Sequence, residues 1–162
     1  KNDELYPYKS GNTKKIDINI LAKENWTRGA GSGSGSTYSD FTINPLYATS
    51  SGNNSGYDNR LLISTKKIYD LSNKNYLHIV GHVTRSSGHS EYGTCYTHIA
   101  LIDVETDVKT KLIEWQVSAD IDQYISIADY NSKYKIEVQV GNKGNTTGIL
   151  QLDAFEFTES NE

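Results

Sequence analysis

The chain has 162 residues and a formal net charge of −4 from 16 basic and 20 acidic side chains, with Cys95 as its one cysteine. That length fits one domain with a core of its own, residues 1–162. The acidic balance, with Lys14-Lys15 and Lys66-Lys67 as the only basic pairs, argues against nucleic acid as a partner, and a lone cysteine excludes an internal disulfide.

Period-two alternation dominates from the first apolar segment onward. Ile16, Ile18 and Ile20 alternate with Asp17 and Asn19, and Phe41 and Ile43 alternate with Thr42 and Asn44. Leu61 and Ile63 fall in a strand over 59–68, and Leu77, Ile79 and Val83 share one face of 76–84. Ile99 and Leu101 share a face of 96–104, and Ile113, Trp115 and Val117 a face of 111–117. A shorter strand is expected over 123–127. Tyr134, Ile136, Val138 and Val140 then alternate with Lys133, Lys135, Glu137 and Gln139. The last strand covers 149–157 and changes phase: Leu150 and Leu152 share one face, Phe155 and Phe157 the other. Either a bulge near Asp153 turns both pairs inward or the strand is buried on both sides. These are half-buried strands, separated by turn signals at 52–53, 55–56, 87–88 and 141–144. No window supports a long helix, and no internal repeat points to a propeller or solenoid. The expected fold is all-β, an antiparallel β-sandwich of the jelly-roll type with about eight or nine strands. Residues 31–36, Gly-Ser-Gly-Ser-Gly-Ser, read as a flexible loop inside the domain, because 1–28 offers too little to form a core of its own.

The segment Ile68-Tyr69-Asp70-Leu71-Ser72 followed by Tyr76-Leu77-His78-Ile79 resembles the aspartate-leucine turn and strand of galactose-binding-like jelly rolls. Ile127-Ala128-Asp129-Tyr130 before Lys133-Tyr134-Lys135-Ile136, and the ending Leu152-Asp153-Ala154-Phe155-Glu156-Phe157, are similar to their later turn and closing strand. The resemblance spans roughly residues 60 to 158. It implies a carbohydrate-binding module of the kind found in bacterial glycan-active enzymes and on phage tail and baseplate proteins. The Lys-, Asn-, Ile- and Tyr-rich composition favours the phage version, placing the chain on a virion or outside the cell. The opening Lys1-Asn2-Asp3-Glu4 is neither a signal peptide nor an initiator Met, so a fragment or processed product is expected. No apolar run approaches the roughly 20 residues of a membrane span, so no membrane insertion is expected. The resemblance also implies a possible structural calcium at Asp153, with Asp3 and Glu4 as nearby candidates for the further oxygens that ion needs; no cofactor is otherwise required.

No catalytic pattern appears: neither G-x-S-x-G, nor a P-loop, nor H-E-x-x-H. His78 and His82 share the face opposite Leu77, Ile79 and Val83 and point outward. A zinc site joining them to His98 is disfavoured, because positions four apart on a strand are about 13 Å apart. Trp115 shares parity with Ile113 and Val117 and belongs in the core.

The 12 Tyr and 13 Gly, against 2 Pro and no Met, suit wet recognition surfaces as well as strands. If successive strands run antiparallel, loops 48–58, 85–95, 119–122 and 141–147 meet at one end of the sandwich. There Tyr57 and Tyr92 are candidate stacking platforms for a sugar ring, and Asp58, Arg60, Arg85, His89, Glu91 and Asn142 candidate hydrogen-bonding partners. Trp26, if exposed, is a competing platform. The expected function is non-catalytic binding of a polysaccharide or oligosaccharide, within an assembly that includes other subunits. The alternatives are a structural or protein-docking domain, and a module appended to a secreted glycoside hydrolase.

Overall fold

The computed structural model describes residues 19–29, 37–43, 45–52, 58–85, 96–143 and 146–161. Among them the alternation resolves into eleven strands: β1 (Trp26–Arg28), β2 (Thr37–Thr42), β3 (Leu46–Gly52), β4 (Asp58–Thr65), β5 (Tyr69–Asp70), β6 (Tyr76–Arg85), β7 (Thr97–Asp103), β8 (Lys109–Trp115), β9 (Ala119–Ser126), β10 (Lys133–Lys143) and β11 (Thr147–Thr158). All pairings are antiparallel. Sheet A has the order β1-β4-β10-β7-β8, with β5 beside β10; sheet B has the order β2-β3-β11-β6-β9. Removing the edge strands β1 and β2 and the short β5 leaves β4-β10-β7-β8 over β3-β11-β6-β9. That is the double Greek key of a jelly roll. The three added strands explain why the count exceeds eight or nine.

The inward residues of both sheets make one core. Ile63, Leu101, Ile136, Val138 and Val140 from sheet A meet Leu46, Leu77, Ile79, Leu150 and Leu152 from sheet B. Trp26 packs edge-on against Phe155, and Tyr69 against Phe157. The phase change in β11 is a bulge: the register with β6 slips between Leu152 and Ala154, so Leu150, Leu152, Phe155 and Phe157 are all buried while Asp153 is exposed. Opposite the slip stands Gly81, where an added Cβ would lie 2.0 Å from the carbonyl oxygen of Gln151. Only glycine lets β6 approach the bulge that closely.

The turn at 70–72 has a direct cause. Asp70 Oδ1 accepts the backbone N–H and the hydroxyl of Ser72, which holds its carboxyl below the usual range, while Leu71 between them is buried.

Three expectations change. Ile16 and Ile18 lie outside the described residues, and Asn19–Leu21 and Lys23–Asn25 form short 3-10 turns rather than a strand. Both the Asn25 amide and the Trp26 indole N–H donate to the Ile20 carbonyl, which folds this segment back on itself and buries Ile20. The segment 46–52, expected partly in a loop, is strand β3, and its inward side is Leu46, Ala48 and Ser50. Val117, expected inside, is 70% exposed because β8 ends at Trp115. Trp115 itself is buried as expected.

Candidate functional site

Strand register decides which connections meet. Thr147 pairs with Ser51, Gly148 with Arg85, Ala119 with Val83, Lys143 with Asp58, and Thr97 with Trp115. The connections β3–β4, β6–β7, β8–β9 and β10–β11 therefore all leave from one end of the sandwich. The chain enters β2 at that end as well, since Thr37 pairs with Gly52, and β1 runs toward it alongside β4, with Arg28 opposite Ile63. The convergence expected from alternating strand direction is present. One of its segments is not a loop: 119–122 opens strand β9, and residues 116–118 make the connection.

Of the residues expected to form a sugar site here, Tyr57, His89, Glu91 and Tyr92 lie outside the described residues. Asp58 begins β4, paired with Lys143. Arg60 is exposed on the outer side of sheet A, opposite Gly141. Arg85 ends β6 with its guanidinium 4.5 Å from the centre of the Tyr96 ring, a cation–π distance. Its backbone N–H donates to Ser118 Oγ at 2.8 Å, which fixes the β8–β9 turn.

Two expectations are corrected. Asn142 is fully buried: its amide oxygen accepts the Ser50 hydroxyl at 2.8 Å and its amide nitrogen donates to the Thr146 carbonyl at 2.8 Å. It ties sheet A to sheet B beneath the β10–β11 turn and has no face for a ligand. Trp26 is 4% exposed, with its indole N–H on the Ile20 carbonyl at 2.6 Å. It is a core residue rather than a stacking platform, because β1 adds to the edge of sheet A with this side chain turned inward.

The outer side of sheet A carries a fixed polar network. Glu137 on β10 is 7% exposed, with Lys109 Nζ at 2.8 Å and His98 Nε2 at 3.4 Å. Burial alone would raise its pKa; the hydrogen bonds and charges of His98 and Lys109 outweigh that and hold it below the usual glutamate range. Gln139 donates to the Tyr96 carbonyl, and Lys111 pairs with Glu114.

His78 and His82 do point outward, from sheet B. Joining them to His98 in one metal site is excluded, since His98 belongs to the other sheet and is taken up by Glu137. His78 Nε2 lies 3.0 Å from Asp122 and its Nδ1 3.6 Å from Glu156, while His82 Nδ1 lies 2.6 Å from Asp120. The His78 ring stacks on Tyr124, with centroids 4.0 Å apart and planes 1° from parallel, and Tyr76 meets Tyr124 edge-on. This cluster was not readable from the sequence, because it depends on β6 and β9 being neighbours in register. The one visible signal was the outward alternation of Asp120, Asp122 and Tyr124.

Asp153 stands exposed at the bulge and accepts a hydrogen bond from the Gln151 amide at 2.9 Å. Among the described residues no three His, Cys, Asp or Glu side chains gather as a metal site. One carboxylate supplies too few oxygens for calcium, and the other candidates, Asp3 and Glu4, lie outside the described residues.

No protein-family model matches the sequence, and no curated protein matches it. Solved structures with a similar backbone include a family 29 carbohydrate-binding module, 8% identical over 83% of this chain and 92% of that one, with a TM-score of 0.46. Another is a carbohydrate-binding module of the β-sandwich superfamily, 9% identical over 88% of this chain and 60% of that one, with a TM-score of 0.48. A third is the enzymatically active domain of tailspike protein 4 of bacteriophage CBA120, 9% identical over 88% of this chain but 20% of that one, with a TM-score of 0.43. At these identities the likeness is one of backbone course.

Proposed function

We propose that the chain is a non-catalytic glycan-binding module whose site lies at the end of the sandwich where the β3–β4, β6–β7, β8–β9 and β10–β11 connections meet. The observation that carries this reading is that convergence, fixed by strand register. The sequences of three of these connections are Ser-Gly-Asn-Asn-Ser-Gly-Tyr-Asp, Arg-Ser-Ser-Gly-His-Ser-Glu-Tyr-Gly-Thr and Gly-Asn-Lys-Gly-Asn-Thr-Thr, a composition that supports the reading. A sugar presents C–H faces that stack on aromatic rings and hydroxyls that need paired donors and acceptors. Tyr57 and Tyr92 supply the first, and Asp58, Arg60, Arg85, His89 and Glu91 the second. The Ser50–Asn142–Thr146 clamp and the Arg85–Ser118 bond hold two of the connections in place, a form of preorganisation that lowers the cost of binding.

A small polar site of this kind binds weakly as one copy and gains from display in several. The setting we propose is a phage adhesion device that recognises a host cell-wall polysaccharide; its support is the Lys-, Asn-, Ile- and Tyr-rich composition. Binding on a glycan array, with the domain clustered on a multivalent scaffold, tests the function. Retention of a cell-wall polysaccharide supports it, and a clustered domain that retains no glycan contradicts it.

A further inference from the structure

Sheet B gathers charge and aromatic surface that the loop-end reading does not use. Its five strands contain Asp40, Asp120, Asp122, Asp153 and Glu156 but, besides His78 and His82, one basic residue, Arg85, which turns over Tyr96 just before β7. Asp40 is met by Arg28 at the far edge, which leaves the acidic character concentrated around β6, β9 and β11.

Strand β9 is the edge of this sheet. Its Ile121 is buried and faces the core, while Asp120, Asp122, Tyr124 and Ser126 alternate on the outside. Successive outward residues on a strand are about 7 Å apart, so two carboxylates and one ring form a regular track. Each carboxylate is met by a histidine of β6: Asp120 by His82 at 2.6 Å, Asp122 by His78 at 3.0 Å. Both stay open, with 97% and 77% of their side chains exposed. His78 also covers one face of the Tyr124 ring. Because His78 stands on β6, the covered face is the one turned toward that strand, and Tyr124 is 37% exposed. An oriented aromatic ring beside oriented, solvent-open carboxylates suits a ligand that is apolar on one face and cationic at its rim. A pyranose ring bearing a free ammonium group has both properties. An N-acetylated or purely hydroxylated sugar offers the face without the charge.

We infer that the β9 edge of sheet B is a second binding site, which takes an extended sugar chain carrying free amines. Tyr124 is its stacking platform and Asp122 and Asp120 its ammonium acceptors; His78 and His82 are positioning residues. This site is independent of the loop-end reading and stands on its own test.

The test is calorimetric titration of the whole chain, at mildly acidic pH and physiological salt, with the linear hexamer of glucosamine and with its N-acetylated counterpart. The amine form is expected to bind at least about tenfold more tightly, which corresponds to about 1.4 kcal/mol. Asp122→Asn is expected to remove that preference, and Tyr124→Ala to weaken the amine form by about tenfold while Tyr124→Phe retains it. Tyr124 is partly exposed, and unfolding midpoints of the variants check that each remains folded. Equal affinity for the two hexamers overturns the inference, and so does unchanged binding by Tyr124→Ala, which would mark simple ionic attraction. A Tyr57→Ala, Tyr92→Ala double variant is expected to keep binding the amine form. If it loses that binding, the amine site belongs to the loop end and the β9 inference fails while the loop-end reading survives.

Discussion

Asn142 shows how one side chain changes meaning with burial. In a Gly-Asn-Lys-Gly segment it has the chemistry of a sugar ligand, yet both ends of its amide are spent on Ser50 and Thr146. Asn142→Ala leaves a buried hydroxyl and a carbonyl without their partner, and we expect a loss of about 1–3 kcal/mol. Urea unfolding measures it, and the folded variant should bind glycan more weakly than the parent, because the connection that Asn142 holds is no longer preorganised. Glu137 is a second case. Its pKa is depressed in the folded chain, so its contribution is present above the unfolded glutamate pKa and is lost as pH falls through the lower, folded value. Unfolding free energy followed through the acid range should fall there for the parent. Glu137→Gln should be less stable at neutral pH, where Lys109 and His98 lose a charged partner, and should show less of that acid-dependent loss. An identical acid slope in the two proteins would contradict the assignment.

At the scale of elements, β11 is where sequence and structure agree best. The phase change from Leu150 and Leu152 to Phe155 and Phe157 offered a bulge near Asp153 or a strand buried on both sides, and the bulge is what the register shows. What the sequence did not show was its partner. Gly81 sits in a run of strand residues with no turn signal, and only the register with β11 reveals why it lacks a side chain. Gly81→Ala should destabilise by at least about 3 kcal/mol, beyond the range of simple overpacking, because the obstacle is backbone; a thermal midpoint unchanged from the parent would refute the close approach. β10 was legible because Tyr134, Ile136, Val138 and Val140 alternate with charged or amide side chains. β3 was not, because its inward residues after Leu46 are Ala48 and Ser50, too small or too polar to register as apolar, although both are fully buried. The first tryptophan was ambiguous for a related reason: three residues of strand, Trp26–Arg28, give no period to read. The His78–Tyr124 stack was hidden because pairing between β6 and β9, 44 residues apart for His78 and Asp122, is a property of topology rather than of local pattern.

For the molecule as a whole, the jelly roll sets one core against one end crowded with connections. Two sheets bury one continuous core, and their order carries several loop connections to one end while leaving the outer sides of the sheets polar. The two sheets differ in balance: the strands of sheet A set Arg28, Arg60, Lys109, Lys111, Lys133, Lys135 and Lys143 against Asp58, Asp70, Asp103, Glu114 and Glu137, a slight basic excess, and sheet B is acidic. If the proposed loop-end site holds a sugar chain, the field that chain meets depends on which side it follows. One measurement tests the loop-end proposal most directly. The domain, clustered on a multivalent scaffold, is titrated against immobilised cell-wall polysaccharide alongside an equally clustered Tyr57→Ala, Tyr92→Ala variant whose unfolding midpoint matches the parent. The account predicts retention by the parent and loss of at least about tenfold in the variant. Equal retention by the two would contradict it and move recognition away from the converging loops.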